Sequence, residues 1–333
     1  MKKVILIFII ILATSMISIP IIFVTIFDDD RAPTVRNQNI ELKQDIQKYI
    51  QINIYRDKTK KIETYSLEEY IRGVVAAEMP SDFEIEALKA QAIASRTYIV
   101  KKIINKEFTD VPDGAMVTDT VKHQVFLSEE ELISMWGLDY PDKISKINQA
   151  VNETNGQVIV YQGKPIDALF FSTSNGYTEN SEDYWLREVS YLRSVTSPWD
   201  LQSPKYFGST KIPFSEIENK LNIDNSVMVS SAQKWIEILE TTEGRSVKQI
   251  KIGDKTMTGR EVRETFNLNS STFTVEITDK EVIFSTRGYG HGVGMSQYGA
   301  DGMAKEGKTA LEIVKYYYTG VDIKNIDEWI KPV

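Results

Sequence analysis

The sequence predicts an α+β fold in which helices and short antiparallel strands form a groove, behind a single N-terminal transmembrane helix. Three observations lead to this. Patterns of period two and period 3.6 alternate along the chain with no regular strand–helix–strand rhythm, which argues against a doubly wound parallel sheet. Two helices with start signals follow one another between Ser66 and about Asn105. Two β-rich runs, Gln157–Tyr161 and Ile166–Ser172, flank the turn residues Gln162-Gly163 and read as a hairpin.

Met1-Lys2-Lys3 precedes an apolar stretch from Val4 to Phe27, and Asp28-Asp29-Asp30 follow it. A helix needs about 20 apolar residues to cross the hydrocarbon core. Lysines before it and aspartates after it put the N-terminus in the cytoplasm. A cleaved signal peptide would have a shorter apolar region ending at small residues. The expectation is therefore an uncleaved single-span anchor over residues 1–30, a polar tether over 31–48, and an extracytoplasmic domain over 49–333. Within that domain, about 203–280 can be set apart as a subdomain.

The first helix opens at Ser66-x-x-Glu69 and the second at Ser81-x-x-Glu84, both capping boxes. Pro80 disfavours helical geometry at Met79 and ends the first helix there. Leu67, Ile71, Val74 and Glu78 lie within about 60° of one another on that helix. Glu78 thus holds an apolar position in the last turn. Burial disfavours a carboxylate anion and raises its pKa, the property a general acid needs. The alternative is a glutamate that emerges at the helix end and pairs with a lysine.

On the second helix, Lys89 and Arg96 share one face roughly 10 Å apart. They could hold an anionic substrate or merely balance surface glutamates. Thr154-Asn155-Gly156 is a turn ahead of the hairpin. Ser172-Thr173-Ser174-Asn175-Gly176-Tyr177-Thr178 gathers hydroxyls and amides suited to sugars, or to a capped turn. Thr272–Ile277 and Glu281–Phe284 read as strands, and Thr309-x-x-Glu312 opens a last helix that stops near Gly320.

Between Gly288 and Gly294 every second residue is glycine, and His291 sits in the middle. Such a run allows close backbone approach around a ligand or another strand and presents an imidazole; a glycine-rich turn with an incidental histidine is the plainer reading. No phosphate-loop or dinucleotide spacing is present, and no Gly-x-Ser-x-Gly occurs. The 333 residues contain no cysteine and two histidines, so disulfides and thiolate ligands are excluded and little remains for a zinc site. A net charge of −8 argues against general nucleic-acid binding.

Val74-Val75-Ala76-Ala77-Glu78-Met79-Pro80, Glu86-Ala87-Leu88-Lys89-Ala90-Gln91-Ala92 and Ser95-Arg96-Thr97-Tyr98 resemble the stage II sporulation protein D family. So do Ser172–Gly176, Ser197-Pro198-Trp199-Asp200 and the block from Gly288 to Ala300, in the family's order. The resemblance implies a lytic transglycosylase of the sporulation septum, acting on peptidoglycan during forespore engulfment. It would cut glycan strands stripped of stem peptides by an amidase partner, alongside a membrane-anchoring partner. It implies Glu78 as the catalytic residue and carries over Lys89 and Arg96, with Ser172, Ser174, Asp200 and His291 as groove residues.

Some family members bind zinc through a Cys/His cluster matching Val117–Gln124, where this chain keeps only His123. No zinc and no other cofactor are expected. Glycoside hydrolysis normally needs two carboxylates. A lytic transglycosylase can use one, because the attacking group is the sugar's own 6-hydroxyl. The competing readings are a glycan-binding enhancer of an amidase that cuts nothing itself, and an assembly factor of the engulfment complex.

Overall fold

The computed structural model describes residues 50–223 and 235–330. The expected anchor and tether lie outside them; among the described residues no helix is long and apolar enough to cross a membrane. Strands β1 (Gln51–Arg56) and β2 (Lys61–Ser66) form an antiparallel hairpin with Lys60 left-handed in its turn. Helix α1 (Leu67–Glu78) follows, and the capping box of Ser66 with Glu69 is formed. Leu67, Ile71 and Val74 are fully buried, so the predicted stripe faces the core.

The second helix, α2, spans Ile85–Asn105 and starts later than its sequence signal. Ser81–Phe83 form a turn, with the Phe83 amide donating to Pro80 O. The Glu84 amide is instead taken by Asp301 Oδ1 at 2.8 Å, so a distant carboxylate does the work expected of Ser81. Alanines 87, 90, 92 and 94 are fully buried and keep α2 slim, which lets six elements gather round it. One is α1; the others come later in the chain.

After α2 the chain makes β3 (Val117–Thr118), which pairs in parallel with β1, and then helices α3 (Glu129–Trp136) and α4 (Tyr140–Glu153). Strand β4 (Gln157–Tyr161) turns through Gln162-Gly163 into β5, but β5 is only Lys164–Pro165. The predicted second strand is broken: the Leu169 amide bonds back to Asp167 O in a tight bend. Phe170–Phe171, strand β6, thereby leaves β4 and pairs in parallel with a strand far along the chain. A short helix α5 (Ser181–Trp185) follows.

Strand β7 (Phe207–Pro213), helix α6 (Phe214–Leu221), β8 (Ile236–Thr241), β9 (Val247–Ile252), β10 (Lys255–Met257) and helix α7 (Gly259–Phe266) come next. β11 (Phe273–Ile277) and β12 (Glu281–Arg287) occur where the sequence reads as strand, and β12 pairs antiparallel with both β11 and β7. This segment holds a hydrophobic cluster of its own, including Ile212, Ile250, Val262 and Phe284. The chain then returns to the α2 core through β13 (Met295–Ser296), α8 (Gln297–Lys305), α9 (Ala310–Tyr317) and β14 (Asp322–Asn325). β13 is the parallel partner of β6, β14 pairs with β4, and α4, β4, β5, α8 and α9 complete the ring around α2.

Candidate active site

The C-terminal end of α1 opens onto a groove of about 890 Å³. Glu78, the last residue of that helix, lines it beside Ala77 and Pro80. The Val125 amide donates a 2.8 Å hydrogen bond to Glu78 Oε1, and the Gln297 side chain stands beside the same carboxyl. Burial raises the Glu78 pKa, and these two polar neighbours only partly oppose it. The partial negative charge of the helix C-terminus acts in the same direction as burial. The result is a carboxyl biased toward its protonated form and facing open space.

The opposite side of the groove is built by the glycine block. Gly288, Gly290, Gly292 and Gly294 have φ of 82°, 120°, 87° and 80°, all left-handed. A Cβ on Gly294 would lie 2.2 Å from Leu169 O, and one on Gly288 would lie 2.7 Å from Thr173 O. The alternating glycines let this segment run flush against residues 169–179. His291 is presented among Phe171, Tyr184 and Trp185, with ring centroids 5.3–5.9 Å away. Its Nδ1 accepts the Val293 amide at 3.1 Å, and burial lowers its pKa to about 4. The imidazole is therefore neutral near pH 7 and suits a polar contact, not a second acid.

Ser172 lines the same groove. Ser174 and Asp200 do not; both are buried behind it. Asp200 accepts the Ser174 amide and the hydroxyls of Ser197 and Ser296. Its carboxylate ties the polar turn to the start of α8 and so positions the wall, without reaching the cavity.

Lys89 and Arg96 depart from expectation. Lys89 pairs with Glu86 and Glu153 at 2.6 and 2.5 Å. Arg96 is fully buried; its guanidinium grips both oxygens of Glu68 and donates to the carbonyls of Gln157 and Val151. Neither lines the groove. Tyr98 is the α2 residue that does, and Arg96 sits about 200° of helical rotation away from it. Lys89 and Arg96 do share a face of α2, but it is turned toward α1 and α4.

The groove's cations come from elsewhere: Lys122, Lys205, Arg260 and Arg263. Lys205 stands 4.9 Å over the Tyr289 ring. Arg260 pairs with Glu264 at 2.7 Å, and Arg263 donates to Tyr184 Oη at 2.9 Å. Trp185, Tyr289 and Tyr298 add aromatic surface. The Arg260/Arg263 spacing of three residues, after the Thr258-x-x-Glu261 capping box, was a readable signal of one helical face. Gln297 carried none, because its approach to Glu78 depends on the β6–β13 pairing.

His123 lies at the groove's edge with both ring nitrogens engaged, Nδ1 by Thr118 and Nε2 by Asp110 at 2.9 Å. Among the described residues no three His, Cys, Asp or Glu side chains come together as metal ligands. The donor set does not fit zinc.

A family model described as stage II sporulation protein matches residues 55–161. Stage II sporulation protein D of Bacillus subtilis (strain 168) is 46% identical over 283 residues, 84% of this chain and 81% of that protein. The protein of that name from Bacillus amyloliquefaciens is 43% identical over 281 residues, 84% of this chain and 80% of that one. A protein of B. subtilis (strain 168) named amidase enhancer is 29% identical over 304 residues, 76% of this chain but 40% of its own length.

Proposed function

This chain belongs to the stage II sporulation protein D family, and from that premise we propose that it is a membrane-anchored lytic transglycosylase that cuts peptide-free peptidoglycan strands during engulfment. The observation that carries this is Glu78: a carboxyl whose pKa is raised by burial, facing a groove lined by cations and aromatic rings, while the groove's other carboxyl, Glu264, is paired with Arg260. Its first 30 residues supply the anchor, and an amidase that bares the strands is its partner; the relative named amidase enhancer supports that association.

In the reaction, Glu78 protonates the glycosidic oxygen between N-acetylmuramic acid and N-acetylglucosamine, and the C1–O bond breaks. The muramic 6-hydroxyl attacks C1 and gives its proton to the Glu78 carboxylate. The products are a 1,6-anhydro-muramic end and a new glucosamine 4-hydroxyl, with Glu78 again protonated. Trp185 and Tyr289 offer faces for sugar rings. Lys205 and Arg263 suit the lactyl carboxylate that peptide removal exposes, the task expected of Lys89 and Arg96.

The test is mass spectrometry of products from the full-length protein and peptide-free strands. Anhydro-muramic ends are expected, and none with Glu78→Gln. Reducing ends would mean hydrolysis, with Glu264 as the second carboxyl. The relative named amidase enhancer favours a second reading, a binding protein that stimulates an amidase. Glu78→Gln would then leave that stimulation intact.

A further inference from the structure

A second cavity, of about 660 Å³, lies near the groove and shares no lining residue with it. Two separate stretches of chain link them. On α2, Tyr98 lines the groove and Lys101 lines the second cavity, one helical turn and about 4.5 Å further along the same face. After β5, Ala168 lines the groove and Ile166 the second cavity, two residues and at most about 7 Å apart along the chain. The ion pair of Lys101 with Asp167, 2.5 Å long, joins these two stretches.

Among the described residues the second cavity has no carboxyl group in its lining. Its walls are Tyr161, Tyr191 and Trp329, with the amides of Asn105 and Gln162 and the ammonium of Lys164 at its exposed edge. Tyr191 is a fixed wall: its Oη accepts the Asp167 amide at 3.0 Å, and its ring leans on Tyr161 at 5.4 Å. Aromatic faces suit the apolar faces of sugar rings, side-chain amides suit acetamido groups, and a lysine suits a free carboxylate. With no carboxyl group among its described lining residues, the cavity can hold a strand but lacks the carboxyl acid proposed to cut one at Glu78.

We propose that this second cavity is a distal subsite for the glycan strand whose cleavage site lies at Glu78, so that one strand occupies both cavities at once. The inference rests on the glycan reading of the groove given above. It makes affinity depend on strand length, because a short oligosaccharide fills one cavity and a longer strand fills both.

The experiment measures binding of full-length protein to peptide-free glycan fractionated by length, with a tetrasaccharide as the short probe. Lys164→Glu, at an exposed turn position, should weaken long-strand binding by about tenfold and tetrasaccharide binding by less than about twofold. Tyr161→Ala should give the same pattern. Equal affinity for short and long strands, or an unchanged long-strand affinity in Lys164→Glu, would overturn the subsite. So would a Lys164→Glu effect confined to self-association in sedimentation, since the cavity would then seat a second copy. Length-dependent binding that persists without anhydro products would leave the subsite standing and remove the transglycosylase reading instead.

Discussion

Arg96 and Glu68 form a two-pronged ion pair inside the protein, Nε to Oε1 at 2.8 Å and Nη2 to Oε2 at 2.6 Å. The pair fastens α2 to α1, the helix that ends in Glu78. An arginine that could have gripped substrate therefore holds the helix carrying the proposed acid in place.

Arg96→Ala should act through folding. Removing one partner of a buried pair strands the other charge and costs about 3–5 kcal/mol. Arg96→Lys should recover only part of this, because an ammonium cannot reproduce the planar fork. Denaturant unfolding checks both; a folded, equally stable Arg96→Ala with a raised KM would return Arg96 to substrate binding.

The pH–rate profile should fall on its alkaline side. Glu78 must carry its proton to act as an acid, and burial raises its pKa, so activity is present below that pKa and lost as pH rises through it. His291 is already neutral above about pH 4, so His291→Ala should lower turnover without moving the alkaline limb. A limb that moves or vanishes in His291→Ala would point to a Glu–His pair.

Lys205→Ala and Arg263→Ala should each raise KM for peptide-free strands by about tenfold or more, since a hydrogen bond to a charged group is worth about 1.5–3 kcal/mol. Strands that keep their peptides present an amide at the same place and should show little change. Steady-state kinetics on both substrates decides it; parallel losses on the two would assign these cations to general packing.

Glu179 should make stability depend on pH. Burial lifts its carboxyl from 4.5 to about 6, while its Oε1 accepts the Ser246 amide. The native chain keeps a proton there that the unfolded chain has released. The stability this contributes is complete below 4.5 and is lost as pH rises through 6. Glu179→Gln should flatten that decline and leave the protein about 2 kcal/mol more stable than wild type near neutrality. Unfolding at a series of pH values measures this, and identical pH curves for the two proteins would refute it.

Gly294→Val should destabilise the protein by more than about 2 kcal/mol, because a left-handed φ and a Cβ 2.2 Å from Leu169 O are both forbidden to valine. Gly307→Asn, at φ 84° with open space around it, should cost far less. Similar thermal midpoints for the two would mean the glycine block tolerates side chains.

Local chemistry was legible wherever neighbours in sequence decide it. The capping boxes at Ser66 and Thr309, the stop at Pro80, the apolar stripe leading to Glu78 and the demand for glycine between Gly288 and Gly294 all concern atoms a few residues apart. What the sequence left open was which way each surface faces. Lys89 and Arg96 do share a stripe, but only the packing of α1 and α4 around α2 turns it inward, away from Tyr98 and the groove. Asp301 displaced Ser81 as the partner of the α2 N-terminus, and β13 drew β6 out of its predicted hairpin. The cations that line the groove lie up to 185 residues from Glu78 in the chain. Periodicity fixes a residue's angle about its own helix axis; the neighbour met at that angle is set by contacts between distant segments, which only the tertiary structure decides.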